Sequence, residues 1–154
     1  MIEINKLPSL IILIASISSC LIAQSLKILI NLIRFQKFDF GILVRTGGMP
    51  SSHSAMVTSL VTATGIIDGW QSTSFALAAC FALIVMYDAS GVRRSVGIQA
   101  TILNQMIVEF NNDNPELQFK RIKEFLGHTP VEVLVGAFLG IVLGFSICAI
   151  VGIL

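Results

Sequence analysis

Apolar residues fall along this chain in a few long runs separated by short polar clusters. Leu7 to Leu26 is uncharged over 20 residues, and the run resumes after Lys27 as far as Ile33. At about 1.5 Å per residue a helix of that length crosses a hydrocarbon core of about 30 Å, so a first membrane span is expected here. Arg34 to Ser52 is a polar, glycine-containing connection, and Ser54 to Ile67 then reads as a helix of small apolar residues closed by Asp68-Gly69-Trp70. Trp70 suits a membrane interface. Ser72 to Tyr87 is a third apolar helix, short for a span, ending at Asp88. Only a few residues separate it from the second, so the two should form an antiparallel hairpin. Ser95 to Phe110 is mixed, with Ile98, Ile102, Gln105 and Glu109 at helical spacing, the pattern of an amphipathic helix at the membrane surface. Asn111 to Pro115 breaks it, a short charged helix is expected from about Pro115 to Phe125, and Val133 to Leu154 supplies 22 uncharged residues, the clearest span of all. The expected architecture is all-α: one polytopic membrane helix bundle over residues 1–154, with about four transmembrane helices and one or two interfacial ones.

Composition agrees with that reading. The chain is 55% hydrophobic and 12% charged, whereas about a quarter of the residues in a soluble domain are charged. Its net charge of +1, with no basic stripe carrying interleaved aromatics, gives no footprint for nucleic acid. Cys20, Cys80 and Cys148 lie in apolar runs without C-x-x-C spacing, which argues against a disulfide framework and against a zinc site. Ile17-Ser18-Ser19-Cys20 looks like a lipoprotein cleavage box, but Glu3 and Lys6 cancel before it and the apolar run continues past the cysteine, so it is read as part of the span.

The placement of charge informs more than its sum. The 34–52 connection holds Arg34, Lys37 and Arg45, the 93–127 stretch holds five basic residues, and the 68–74 turn holds none. The positive-inside rule then places both termini outward and the charged face in the cytoplasm, as for a protein of a bacterial inner membrane or an organellar equivalent. Whichever way the chain is inserted, the end of span one, the start of span two, the end of span three and the start of span four meet at that face.

Its candidate chemistry lies there too. In Thr46-Gly47-Gly48-Met49-Pro50-Ser51-Ser52-His53-Ser54, the glycines let backbone amides approach a ligand and the helix start adds unpaired N–H donors, the construction of an anion cradle. The same residues also read as a turn followed by a serine cap. His128 precedes Thr129-Pro130-Val131-Glu132, and a carboxylate four residues on can orient an imidazole and raise the basicity of its other nitrogen. Thr129 to Glu132 is equally a T-x-x-E capping box, which leaves His128 unexplained. Gly136, Gly140 and Gly144 form a small-residue stripe on nearly the face of Glu132, read as helix packing. Lys27, inside an apolar run, is either part of a site or snorkels to the interface. Arg93 and Arg94 either grip phosphate or mark the cytoplasmic boundary.

Pro50-Ser51-Ser52-His53 followed by His128-x-x-x-Glu132 resembles the superfamily of type-2 phosphatidic acid phosphatases and vanadium haloperoxidases. The further stretches Tyr87-Asp88-Ala89-Ser90-Gly91-Val92-Arg93-Arg94 and Leu126 to Leu134 resemble its divergent bacterial and plant branch. In the wider superfamily a lysine is followed seven residues later by Arg-Pro; Lys27 and Arg34 match, with Phe35 in place of proline. Ser52 replaces the glycine of P-S-G-H, and Glu132 replaces an aspartate. The superfamily's arginine six residues before the second histidine is here Ile122, flanked by Arg121 and Lys123. The phosphate clamp is then either shifted in register or supplied by Arg93 or Arg94.

The resemblance implies that His128 attacks phosphorus, that Glu132 orients it, and that His53 protonates the leaving alcohol and then activates water. It further implies that Lys27, Arg34, Ser51, Ser52 and an arginine among Arg93, Arg94 and Arg121 hold the phosphoryl oxygens, with no metal or other cofactor. The expected partner is a lipid or isoprenoid phosphate in the membrane, and self-association is compatible with short spans and a glycine stripe. A relative without catalysis, a membrane scaffold that keeps the anion cradle, is the alternative that the displaced arginine favours.

Overall fold

The computed structural model describes residues 7–36, 47–113, 116–124 and 127–153. Among the described residues five helices follow one another: α1 (Pro8–Phe35), α2 (Ser52–Ile67), α3 (Thr73–Ser90), α4 (Val92–Asp113) and α5 (Pro130–Ile150). No strand occurs among the described residues.

Local chemistry accounts for the helix ends. Pro8 opens α1, where a missing N–H costs nothing, and Gln36 closes it in the left-handed region while its N–H donates to the Leu32 carbonyl. Ser51 and Ser72 cap α2 and α3, their hydroxyls accepting from the N–H groups of Ser54 and Phe75. Trp70 folds back between α2 and α3. Its ring fills the space that a Gly65 side chain would occupy and meets Phe75 edge-on at 5.3 Å. This is the expected hairpin.

The interior is built from small residues and the exterior from large ones. Ala15, Ala23, Ala55 and Ala63 are fully buried together with Ser19, Ser54 and Ser59, whereas Ile33, Leu77 and Leu134 are about 70% exposed (72%, 67% and 68%). In water this distribution would be unstable. In lipid, where tails are as apolar as leucine, helices associate by close backbone packing, and small residues permit it. α1, the stretch from Thr73 that contains α3, and α5 are each long and apolar enough to cross a membrane. α2 has 16 residues, ten of them buried, and sits at the centre, packed against α1, α3 and α5.

The α2–α5 seam is the closest approach. Side chains at Gly136 and Gly140 would run into the backbone carbonyls of Ser51 and Ala55, and one at Gly144 would press on Thr62. Thr58 Oγ1 lies 2.9 Å from the Ala137 carbonyl and bonds across the seam. The glycine stripe therefore serves packing, and it turns the first residues of α5 toward α2.

Two expectations change. α4 is longer than expected, and the stripe of Ile98, Ile102, Gln105 and Glu109 is its exposed face; the buried face is Gly97, Ala100 and Asn104. Of the charged helix expected from about Pro115 to Phe125, the described residues 116–124 carry no helix. The side chains of α4 hold the segment extended instead. Asn104 accepts from Ile122 N–H at 2.7 Å and donates to Ile122 carbonyl at 2.8 Å, and Asn111 makes the same pair of bonds with Phe119 at 2.9 Å each. Two amide side chains two turns apart thus imitate the ladder of a neighbouring strand. Glu124 completes the clasp by accepting from Asn104 and Thr101, each at 2.7 Å, and those bonds hold its carboxyl below the usual range.

Candidate active site

The site is assembled where α2 begins, α3 ends and α5 begins. Thr129 caps α5, accepting from Glu132 N–H, while Glu132 Oε2 takes the Thr129 N–H at 3.1 Å. The same oxygen lies 3.1 Å from His128 Nδ1. Capping box and histidine contact share one carboxylate, so neither reading displaces the other. An Nδ1–H held by the carboxylate leaves the Nε2 lone pair free.

Backbone contacts pin this loop. His128 N–H donates to the Ala89 carbonyl at 3.1 Å, and Ser51 N–H donates to the Glu132 carbonyl at 3.1 Å. Gly127 lies so close to the backbone of Arg93 and Arg94 that a Cβ would overlap it. A glycine is required there because two chain segments cross with no room for a side chain. The two histidines thereby reach one small cavity of about 30 Å³, lined by His53, Val85, Ala89, Arg93, Gly127 and His128. That volume holds about one water molecule.

Lys27 is buried, and the turn containing Gly48 lies over its stem: a Cβ at Gly48 would stand 3.5 Å from Lys27 Cδ. Gly47 and Gly48 take φ of 105° and 88°, a left-handed backbone that other residues avoid. Lys27 therefore does not snorkel; it runs beneath the turn and acts electrostatically on His53, His128 and Glu132. Burial pushes the His128 imidazole below its ordinary value, the bond to Glu132 pulls the other way, and Lys27 adds to the lowering.

The remaining sequence-derived residues divide. Ser51 and Ser52 are buried at the start of α2, with the Ser51 hydroxyl accepting from Ser54 Oγ at 3.0 Å. Arg93 lines the cavity and pairs through Nε with Asp88 at 2.6 Å on the exposed side. Arg94 contributes backbone against Gly127, and its side chain is exposed. Arg121 stands on the exposed extended segment next to Glu124, apart from the cavity lining. Arg34 closes α1, and its side chain, like Lys37, Arg45 and Thr46, lies outside the described residues. Sequence reasoning missed Val85 and the Ala89 carbonyl. Nothing distinguishes an alanine or a valine in an apolar helix as site-forming until a second helix is laid beside it.

This geometry defines a class: an all-helical membrane protein that brings two histidines, a carboxylate and a buried lysine to one helix-capped corner. The chain belongs to the divergent PAP2 family, whose pattern matches residues 9–143. It is similar to the uncharacterized membrane protein YuiD of Bacillus subtilis (strain 168), 43% identical over 141 residues that cover 85% of this chain and 89% of that one. No solved structure matches the chain.

Proposed function

We propose that this protein is a membrane phosphatase that hydrolyses a lipid or isoprenoid phosphate or diphosphate through a phosphohistidine. The observation that carries the reading is the Glu132–His128 pair opening on the cavity that His53 and Arg93 also line. In the proposed reaction His128 Nε2 attacks phosphorus, the bond to the leaving oxygen breaks, and His53 donates its proton to that oxygen. Water then attacks the phosphohistidine with His53 taking its proton, the P–N bond breaks, and inorganic phosphate leaves. Lys27 and Arg93 present positive charge to His53. A phosphoryl group bound among them offsets that field, and the same cations stabilise charge on the transferring group. Ser51 and Ser52 lie at the start of α2, where helix N–H groups add donors for phosphoryl oxygens.

The fourth span in this reading is α2, about 24 Å long by its helical rise and enclosed by its neighbours. The basic residues of the 34–52 and 93–127 stretches support a site on the cytoplasmic face of a bacterial inner membrane or its organellar equivalent.

A second reading has its own observation: the cavity is smaller than a phosphoryl group and Arg93 is already paired with Asp88, as a non-catalytic anion-binding relative would allow. Purified protein in liposomes decides between them when offered phosphatidate, phosphatidylglycerophosphate and polyprenyl phosphates and diphosphates. The expected result is phosphate release that vanadate inhibits, chelators leave intact, and His128→Ala and His53→Ala each abolish. No release from any substrate, or equal release in the variants, replaces the enzyme by the binding protein.

A further inference from the structure

Outside the histidine cavity the structure holds a second, larger concavity. α3 and α5 both pack on α2 but touch each other only sparsely, leaving an apolar groove of about 630 Å³ between them. Leu83, Ile84, Tyr87 and Ser90 line it from α3, and Pro130 and Leu134 line it from α5. The geometry points to this groove as the binding site for the hydrocarbon chain of the substrate, whose phosphate occupies the histidine site; the inference rests on the phosphatase reading above.

Continuity is the first argument. Pro130 is two residues from His128, and Ser90 follows Ala89, whose carbonyl fixes the His128 backbone. On α3 the cavity is lined by Val85 and Ala89 and the groove by Leu83, Tyr87 and Ser90, so the two hollows flank the same end of the helix from different faces. Polarity is the second. The groove's polar groups, Ser90 and Tyr87, stand at the end of α3 that carries the site. Leu83 lies seven residues back, about 10 Å deeper into the apolar length of the helix. An amphiphile with its anionic head at Lys27 and Arg93 would lay its chain along that gradient. Capacity is the third. The volume falls in the range of about 300–1,000 Å³ usual for small-molecule sites, and the open side faces the direction from which a membrane-resident chain arrives.

The test uses the full-length protein in nanodiscs and two readouts. The first is the ratio of kcat/KM for a long-chain phosphomonoester to that for a short-chain one with the same headgroup. Leu83→Trp and Leu134→Trp fill the groove at rim positions already exposed, so helix packing is not disturbed. Each should lower the ratio by about tenfold or more, the scale on which an apolar pocket discriminates chain length. Leu21→Trp, on the exposed face of α1, should leave it unchanged. The second readout is independent of turnover: a long-chain alkyl phosphonate with a diazirine on its chain, crosslinked to the wild-type protein. Labelling should fall on 83–90 and 130–134 and be competed by the unlabelled phosphonate but not by the alcohol of the same chain. An unchanged ratio in both tryptophan variants, labelling elsewhere, or equal competition by the alcohol overturns the groove assignment while leaving catalysis standing. If no substrate is hydrolysed, the phosphatase reading falls and crosslinking alone decides the groove.

Discussion

The candidate site has two halves made in different ways. The half containing His128, Glu132, Ser51 and Lys27 is built on the α2–α5 seam and the turn over Lys27, where glycines bring backbones together and the polar side chains are largely buried. The half containing Arg93 lies at the α3–α4 corner, where a single residue, Gly91, separates the helices and an exposed Asp88–Arg93 pair sets the side chain. One half is held by close packing that resists adjustment; the other depends on an ion pair that water weakens. The contrast teaches that, under the proposed phosphatase reading, preorganisation of the nucleophile and grip on the phosphate are separable.

The strongest challenge to that contrast is Gly136→Val. The side chain would overlap the Ser51 carbonyl, and the expected cost is about 3 kcal/mol or more of stability, with loss of phosphate release because α2 and α5 separate. Thermal unfolding in detergent checks it, and an unchanged midpoint would show that the seam is not rigid.

Glu132→Gln probes the same half more finely. Removing the carboxylate that orients His128 should lower kcat by about a hundredfold or more, as for other acid–base partners. A pH profile adds a sign. His128 holds its proton less tightly than an ordinary imidazole, so it is neutral and able to attack down to a pH below about 6.5. The acidic limb of kcat/KM should therefore lie below that value. Glu132 is the group that pulls the proton affinity back up, so its loss should move the limb further toward acid; movement toward neutral pH would contradict the arrangement.

Asp88→Asn addresses the other half. An exposed pair contributes less than about 1 kcal/mol, so the unfolding midpoint should barely move. Arg93, released from its partner, should bind phosphate or vanadate a fewfold more tightly, whereas no change in affinity would remove Arg93 from the clamp. The smallest effect on activity belongs to Asn104→Ala, which unclasps the 117–124 segment from α4 at a cost of about 1 kcal/mol in stability. Faster protease cleavage within that segment at unchanged turnover is expected, and a large activity loss would bring Arg121 back into consideration.

Much of this was legible in the sequence. The first and last apolar helices, the hairpin between the second and third, the T-x-x-E cap and the glycine stripe all follow from local rules of hydropathy, capping and helical spacing. In the sequence Arg93, Arg94 and Arg121 are clamp candidates on the same footing, because a basic residue near a helix end carries the same signature whether it faces a site, packs by its backbone or points to solvent. The 117–124 segment departs from the expected helix for a related reason. Its charges suit a helix, but Asn104 and Asn111 satisfy its backbone groups from 18 and 8 residues away, and no local pattern reports that.

By itself the sequence determined that the chain is an apolar helix bundle, that it carries the histidine and carboxylate motifs that resemble the PAP2 superfamily, and that those residues gather at one end of the helices. Periodicity and span length encode direction and face, which is enough for that. Only the tertiary structure decided that Lys27 lies under the Gly48 turn, that Arg93 and not Arg121 lines the cavity, and that a groove opens between α3 and α5 at Ser90 and Pro130. Those facts depend on which helix surfaces fail to touch and which cross closely, and such distances are properties of pairs of segments far apart in the chain.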